Sequence, residues 1–249
     1  DSYLGSAYSP WTQNLYTYTG NNPVNYIDPT GHRATGVGLI AAVNLGIKVA
    51  MSGVINNYVT QIGPSTNAGT ALANINSQLM KNTDISTTFK LIATSEEIRQ
   101  AVEDGVDIVL GEDMFKDTFV NNALSMSEAA ANIDGSYSRL LYFMDMVKTG
   151  APYDLKAQED WMYHKTDQRT RYIYFNYELL SAEDVGNMHF GYIGSAYGYW
   201  EEFLCWGAGI YQINSEGITW SYRDTYFDEP RDNYYVRMGV NLYQSGYFN

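Results

Sequence analysis

The chain has 249 residues, enough for one sizeable domain or a domain with an appendage, and a core of that size folds without cross-links. The single Cys205 excludes an internal disulfide, and with three scattered histidines it leaves no basis for a Cys/His zinc cage. The net charge is −13, yet residues 1–84 balance three acids (Asp1, Asp28, Asp84) against three bases (Arg33, Lys48, Lys81), so all the excess acid lies beyond residue 84; a protein that grips nucleic acid concentrates Lys and Arg instead, which weighs against a nuclease.

In chain order, Asn21-Asn22-Pro23 and Asp28-Pro29-Thr30-Gly31 are turn formers, and Val24 to Ile27 between them is predicted to be a short extended segment. From Thr35 to Ile62 apolar residues recur at three and four, among them Val43, Ile47, Met51, Val54, Ile55 and Tyr58, which predicts a helix. Lys48, Asn44, Asn56 and Asn57 within it argue for a buried or cargo-associated helix over a membrane span. The polar opening of the chain does not resemble a cleavable signal peptide. Gly63 to Gly69 is the clearest linker and precedes a predicted helix from Thr70 to Lys81. Thr94-Ser95-Glu96-Glu97 reads as a capping box opening a helix to Asp104, and Val106 to Leu110 as a short strand or helical turn. Further helices are expected over Ser127 to Ile133, Tyr137 to Lys148 and Tyr153 to Tyr163, interrupted at Gly150-Ala151-Pro152.

Arg171 to Leu179 alternates in the manner of a strand. The glycines between Gly186 and Gln212 point to tight helix packing or close backbone approach to a ligand, and Asp228 to Tyr243 is an acidic turn followed by a closing helix. The fold class expected is α+β, mostly helical with a small antiparallel tyrosine-rich sheet.

Three places carry residues fit for chemistry. Asp154, with Lys156 beside it and Glu159 beyond, is either a helix cap or a general acid, base or nucleophile with Lys156 steering charge. His189, among glycines and aromatics, is either a partly buried structural group or a proton-exchanging one. Asp224, Asp228, Glu229 and Asp232 fall within nine positions and form either a capped turn or a carboxylate site. Glu201 and Glu202 behind Trp200 are a weaker fourth.

Two resemblances organise these observations. Gln13-Asn14-Leu15-Tyr16-Thr17-Tyr18, followed by the Asn-Asn-Pro and Asp-Pro-Thr-Gly turns, resembles the end of the core of Rhs/YD-repeat proteins. That resemblance implies a shell remnant at 1–32, a helical connector at 33–84 and a cargo domain at 85–249, with Asp28 in a self-cleavage region. Farther on, Pro152-Tyr153-Asp154-Leu155-Lys156, Gly186-Asn187-Met188-His189-Phe190-Gly191-Tyr192-Ile193-Gly194, Asp228-Glu229-Pro230-Arg231-Asp232 and Val236 to Tyr243 resemble the bacterial toxin 44 family. This implies an effector in interbacterial competition, with Asp154, Lys156, Asp228 and Asp232 as the inherited candidates. His189 joins them as a catalytic candidate, and Glu159, Tyr192 and Trp200 are expected to contact substrate.

The reaction expected is hydrolysis of peptidoglycan glycan through paired carboxylates, with no cofactor and no metal. The alternatives are a ribonuclease using His189, Lys156 and an Asp, or a membrane-active toxin built on residues 33–84. The expected partners are a cognate immunity protein with a Lys- and Arg-bearing face and the Rhs shell of the parent polypeptide. Delivery is expected into a target bacterium, to the periplasm and wall or else to the cytoplasm.

Overall fold

The computed structural model describes residues 26–27, 35–158 and 171–248 of the chain. The Rhs-type signature therefore lies almost wholly outside the described residues, as does Glu159. The chain divides into two compact units, Asp1–Glu96 and Glu97–Asn249.

In the first unit, β1 (Tyr26–Ile27) pairs antiparallel with β2 (Thr35–Gly36), placing a strand in the extended segment expected between the two turns. Helix α1 (Val37–Ile62) and helix α2 (Asn67–Lys81) form a hairpin. Thr66 starts α2 by accepting from the Gly69 amide, and Gly69 is required because a Cβ there would lie 2.0 Å from the Gly63 carbonyl oxygen. Leu72, Ile75 and Leu79 of α2 are buried, as is Ile55 of α1.

The remaining pattern of α1 departs from the apolar face expected. Val43, Leu45, Val49 and Val54 are exposed, whereas Asn44 and Lys48 are buried. The cause is the C-terminus of α2, whose last carbonyls have no partner within the helix. Lys48 donates to the Asn82 carbonyl, Asn44 donates to the Thr83 carbonyl at 3.2 Å, and the Thr88 hydroxyl donates to Asn44 Oδ1 at 2.9 Å. No helix among the described residues is long and apolar enough to cross a membrane.

Helix α3 spans Ile85–Glu103 and begins nine residues before the expected capping box. Thr94 and Ser95 lie inside it and donate back to the carbonyls of Lys90 and Leu91, four residues earlier. Side chains of that kind serve a cap or a helix interior equally well, so the motif misplaced the start.

The second unit is built on a three-stranded sheet in the order β3 (Asp107–Leu110), β4 (Arg171–Phe175), β5 (Glu178–Leu180). It is mixed rather than all antiparallel: β3 runs parallel to β4, and β5 antiparallel to it. The single strand expected over Arg171 to Leu179 is thus a hairpin. Asn176 and Tyr177, at φ 47° and 61°, make its two-residue turn, a geometry whose usual signal, a glycine, is missing here.

Between β3 and β4 come α4 (Gly111–Asn132), longer than expected, and α5 (Ser136–Val147). The chain ends with α6 (Ala182–Ala196), α7 (Glu201–Glu216) and α8 (Pro230–Gln244). Phe115, Phe119, Ile173, Phe175, Met188, Tyr192, Val236 and Val240 are buried in one core.

Helices α6 and α8 touch backbone to backbone. A Cβ on Gly191 would lie 2.0 Å from the Val236 carbonyl oxygen, and one on Gly239 would lie 1.8 Å from that of Met188. The glycine density of this stretch thus serves helix packing.

Candidate functional site

The close crossing of α6 and α8 sets their N-termini side by side, and the local sequence completes each end. Ser181 caps α6: its Oγ accepts from the Asp184 amide, and Asp184 Oδ2 accepts from the Ser181 amide at 2.7 Å. Asp184 is 1% exposed, and its charge is met by Arg231 on the first turn of α8, with Nε at 2.7 Å from Oδ1 and Nη2 at 2.9 Å from Oδ2. This fork-to-fork pair fixes the two ends together. Positive helix dipole ends then converge where Glu183, Asp184, Glu229 and Asp232 stand.

Lys156 reaches this corner from a short 3-10 turn, Leu155–Ala157, anchored by the buried Leu155. Its stem lies along α6, where a Cβ on Gly186 would come within 2.9 Å of Lys156 Cγ, and its Nζ is 3.5 Å from Glu183 Oε1. Asp154, at the head of the same turn, directs its carboxylate back to accept from the Gly150 amide at 2.9 Å.

Asp228 sits at the exit of a strained bend. Tyr226 and Phe227 before it both adopt left-handed backbone, φ 60° and 67°, which costs bulky residues on the order of 1 kcal/mol or more each. Three contacts hold it. The Phe227 amide donates to the Tyr222 carbonyl at 2.8 Å, the Thr225 hydroxyl donates to the Asp228 carbonyl at 2.5 Å, and Gly209 of α7 admits the Tyr226 carbonyl, which would lie 1.9 Å from a Cβ there.

Asp228 is 3% exposed, and its Oδ2 has no hydrogen-bond partner among the described residues. Burial first, and then the neighbouring Asp232, push its carboxyl up to about 7; the Asn233 side chain and the Glu229 amide act in the opposite sense. Asp232, half-buried, is pushed up to about 6, by burial first and then by Glu183 and Glu229, while Lys156 opposes. The two carboxyls thus keep protons well above the usual carboxylate range.

The other sequence candidates lie elsewhere. His189 is wholly buried rather than partly so, its ring 4.9 Å from that of Phe119 and 6.3 Å from that of Tyr153. Burial pushes its imidazole down to about 3, with the Tyr153 backbone acting weakly the other way, so the ring is neutral at physiological pH. Asn122 Nδ2 stands 3.0 Å from its Nε2. Tyr192 is 1% exposed and packs against Phe119, Tyr243 and Phe248, whereas Trp200 is exposed at the start of α7 with its ring 5.3 Å from Phe203.

The structure therefore associates Lys156, Asp228 and Asp232, adds Glu183, Asp184 and Arg231, and places His189 and Tyr192 in the core. Of the additions, only the Ser181-x-x-Asp184 spacing left a sequence signal, as a capping box. Among the described residues, no group of three or more His, Cys, Asp or Glu is arranged to hold a metal ion. No curated protein and no solved structure matches the chain. Residues 142–245, from within α5 to the end of α8, match the model of the family described as bacterial toxin 44, so the whole carboxylate corner lies in a segment similar to bacterial toxin domains.

Proposed function

We propose that the chain is an effector of interbacterial competition whose second unit hydrolyses the glycan of peptidoglycan, with Asp232 as the acid that protonates the departing glycosidic oxygen. Glu183, which acts on Asp232 from the neighbouring helix end, is the second carboxylate, serving as base or nucleophile. The geometry that carries this reading is the corner itself: Asp228, 3% exposed, and the half-buried Asp232 stand four positions apart at the start of α8, close to Glu183 at the start of α6, and burial and neighbouring charge push both carboxyls above the usual range. Burial and the charges of Glu183 and Glu229 keep Asp232 from ionising early, and Lys156 opposes them at the mouth. Asp154 shapes the turn that presents Lys156.

The ribonuclease reading asks for a titrating imidazole, and the sealed, neutral His189 offers none near neutral pH. The acid excess of the chain also repels a polyphosphate and suits an uncharged glycan. Such a toxin acts in the wall compartment of the target cell and is neutralised by a cognate immunity protein; the resemblance of residues 1–32 to an Rhs core end supports an Rhs shell as its carrier.

The test is reducing-end release from purified peptidoglycan by the full chain. Wild type should release reducing ends, and Asp232→Asn and Glu183→Gln should each lower the rate by about a hundredfold or more, the usual scale for loss of an acid or base. Unchanged rates in both variants, or degradation of RNA with intact glycan, would overturn the assignment.

A further inference from the structure

Trp220 opens the 3-10 turn Trp220–Thr225 that leads into the strained bend, and it is 74% exposed. Its indole packs edge-on against Phe227, ring centroids 5.8 Å apart at 78°. Phe227 immediately precedes Asp228, so the left-handed bend that leads into the buried Asp228 also carries the ring that braces the exposed indole. Two observations meet here: a large ring left in water, and next in the chain to its support a nearly wholly buried carboxyl oxygen with no partner among the described residues. The buried oxygen is unfavourable in the free protein, and the braced ring beside it in the chain is available to a ligand.

We propose that Trp220, braced by Phe227, is the platform on which one sugar ring of a neutral glycan stacks as the chain enters the Asp228–Asp232 corner. The inference rests on the glycan-hydrolase reading and adds the subsite and ligand class to it. An indole offers a flat apolar face to the C–H face of a pyranose, and the acids that follow it in the chain, Asp224, Asp228, Glu229 and Asp232, supply acceptors for hydroxyl groups. The same indole could stack on a base, but the attached phosphates would then face those carboxylates. Arg223, the neighbouring cation, is already paired with Asp224 at 3.4 Å.

The probe is chitohexaose, a neutral oligomer of N-acetylglucosamine, titrated against the full chain in the Asp232→Asn background so that nothing is consumed. Trp220→Ala should weaken binding roughly tenfold or more, in the range of stacking on an aromatic face. Trp220→Phe should recover part of it, and Trp206→Ala, at another exposed tryptophan, should change nothing. The melting temperature of Trp220→Ala should stay near that of its parent. Absence of chitohexaose binding, equal binding by Trp220→Ala, an equal loss in Trp206→Ala, or preference for a short RNA oligonucleotide would each overturn the platform. Failure of the two readings separates cleanly. Reducing-end release with Trp220-independent binding removes the platform and leaves the hydrolase; Trp220-dependent binding with no reducing ends from wild type supports the platform and removes the hydrolase.

Discussion

Asp228 is costly to the fold. Its carboxyl has a pKa of about 7 in the folded chain against 3.8 when unfolded, so folding favours its protonated form. The stabilisation from that bound proton is complete below about pH 4 and is lost as the pH rises through 7. Asp232 adds a window of the same sign that closes near 6. Asp228→Asn removes the burden, and in thermal melts it should stabilise the chain at pH 8 by on the order of 3 kcal/mol, with the gain vanishing at pH 4. A loss of stability at pH 8 would show that the carboxylate is partnered there. Asp184, also buried, has its carboxylate met by the Arg231 fork. Arg231→Met leaves that carboxylate alone in the core and should cost about 3 kcal/mol by chemical denaturation. The acids of the Asp228–Asp232 turn were legible as a cluster in the sequence. Their neighbours across the helix ends were not, because Glu183 and Asp184 reach this turn only through the crossing of α6 and α8.

At the scale of elements, helix positions followed from apolar spacing, but their limits depended on groups outside each helix. Thr94 and Ser95 looked like a start and proved interior, since a hydroxyl bonds a helix carbonyl as readily as it caps an amide. Asn44 and Lys48, which in the sequence argued for a buried or cargo-associated helix over a membrane span, are themselves buried and bond the carbonyls of Thr83 and Asn82, while Val43, Leu45, Val49 and Val54 of α1 are exposed. The glycines were more informative: Gly191 and Gly239 mark where two backbones meet. Gly239→Ala should destabilise by about 3 kcal/mol, because the obstacle is the Met188 carbonyl rather than a movable side chain. Gly209→Ala meets the Tyr226 carbonyl in the same way and should displace the bend that buries Asp228. Its melting temperature should fall, and the raised titration of Asp228 should return toward the ordinary carboxylate range.

For the whole molecule, the acid excess confined to residues beyond 84 shapes its partners more than its fold. An immunity protein that covers the carboxylate corner should carry Lys and Arg, and its association should slow by roughly tenfold or more between low and high salt, measured by stopped flow. A salt-independent rate would place its contact on the apolar surface instead.

Asp228 and Asp232, at one pair of helix ends, titrate above the ordinary carboxylate range. Carboxyl-carbon NMR titration of the full chain, with Asp228→Asn and Asp232→Asn used for assignment, reads this directly. The expected result is two coupled transitions near 7 and 6; titration of both carboxyls below 4 would contradict it.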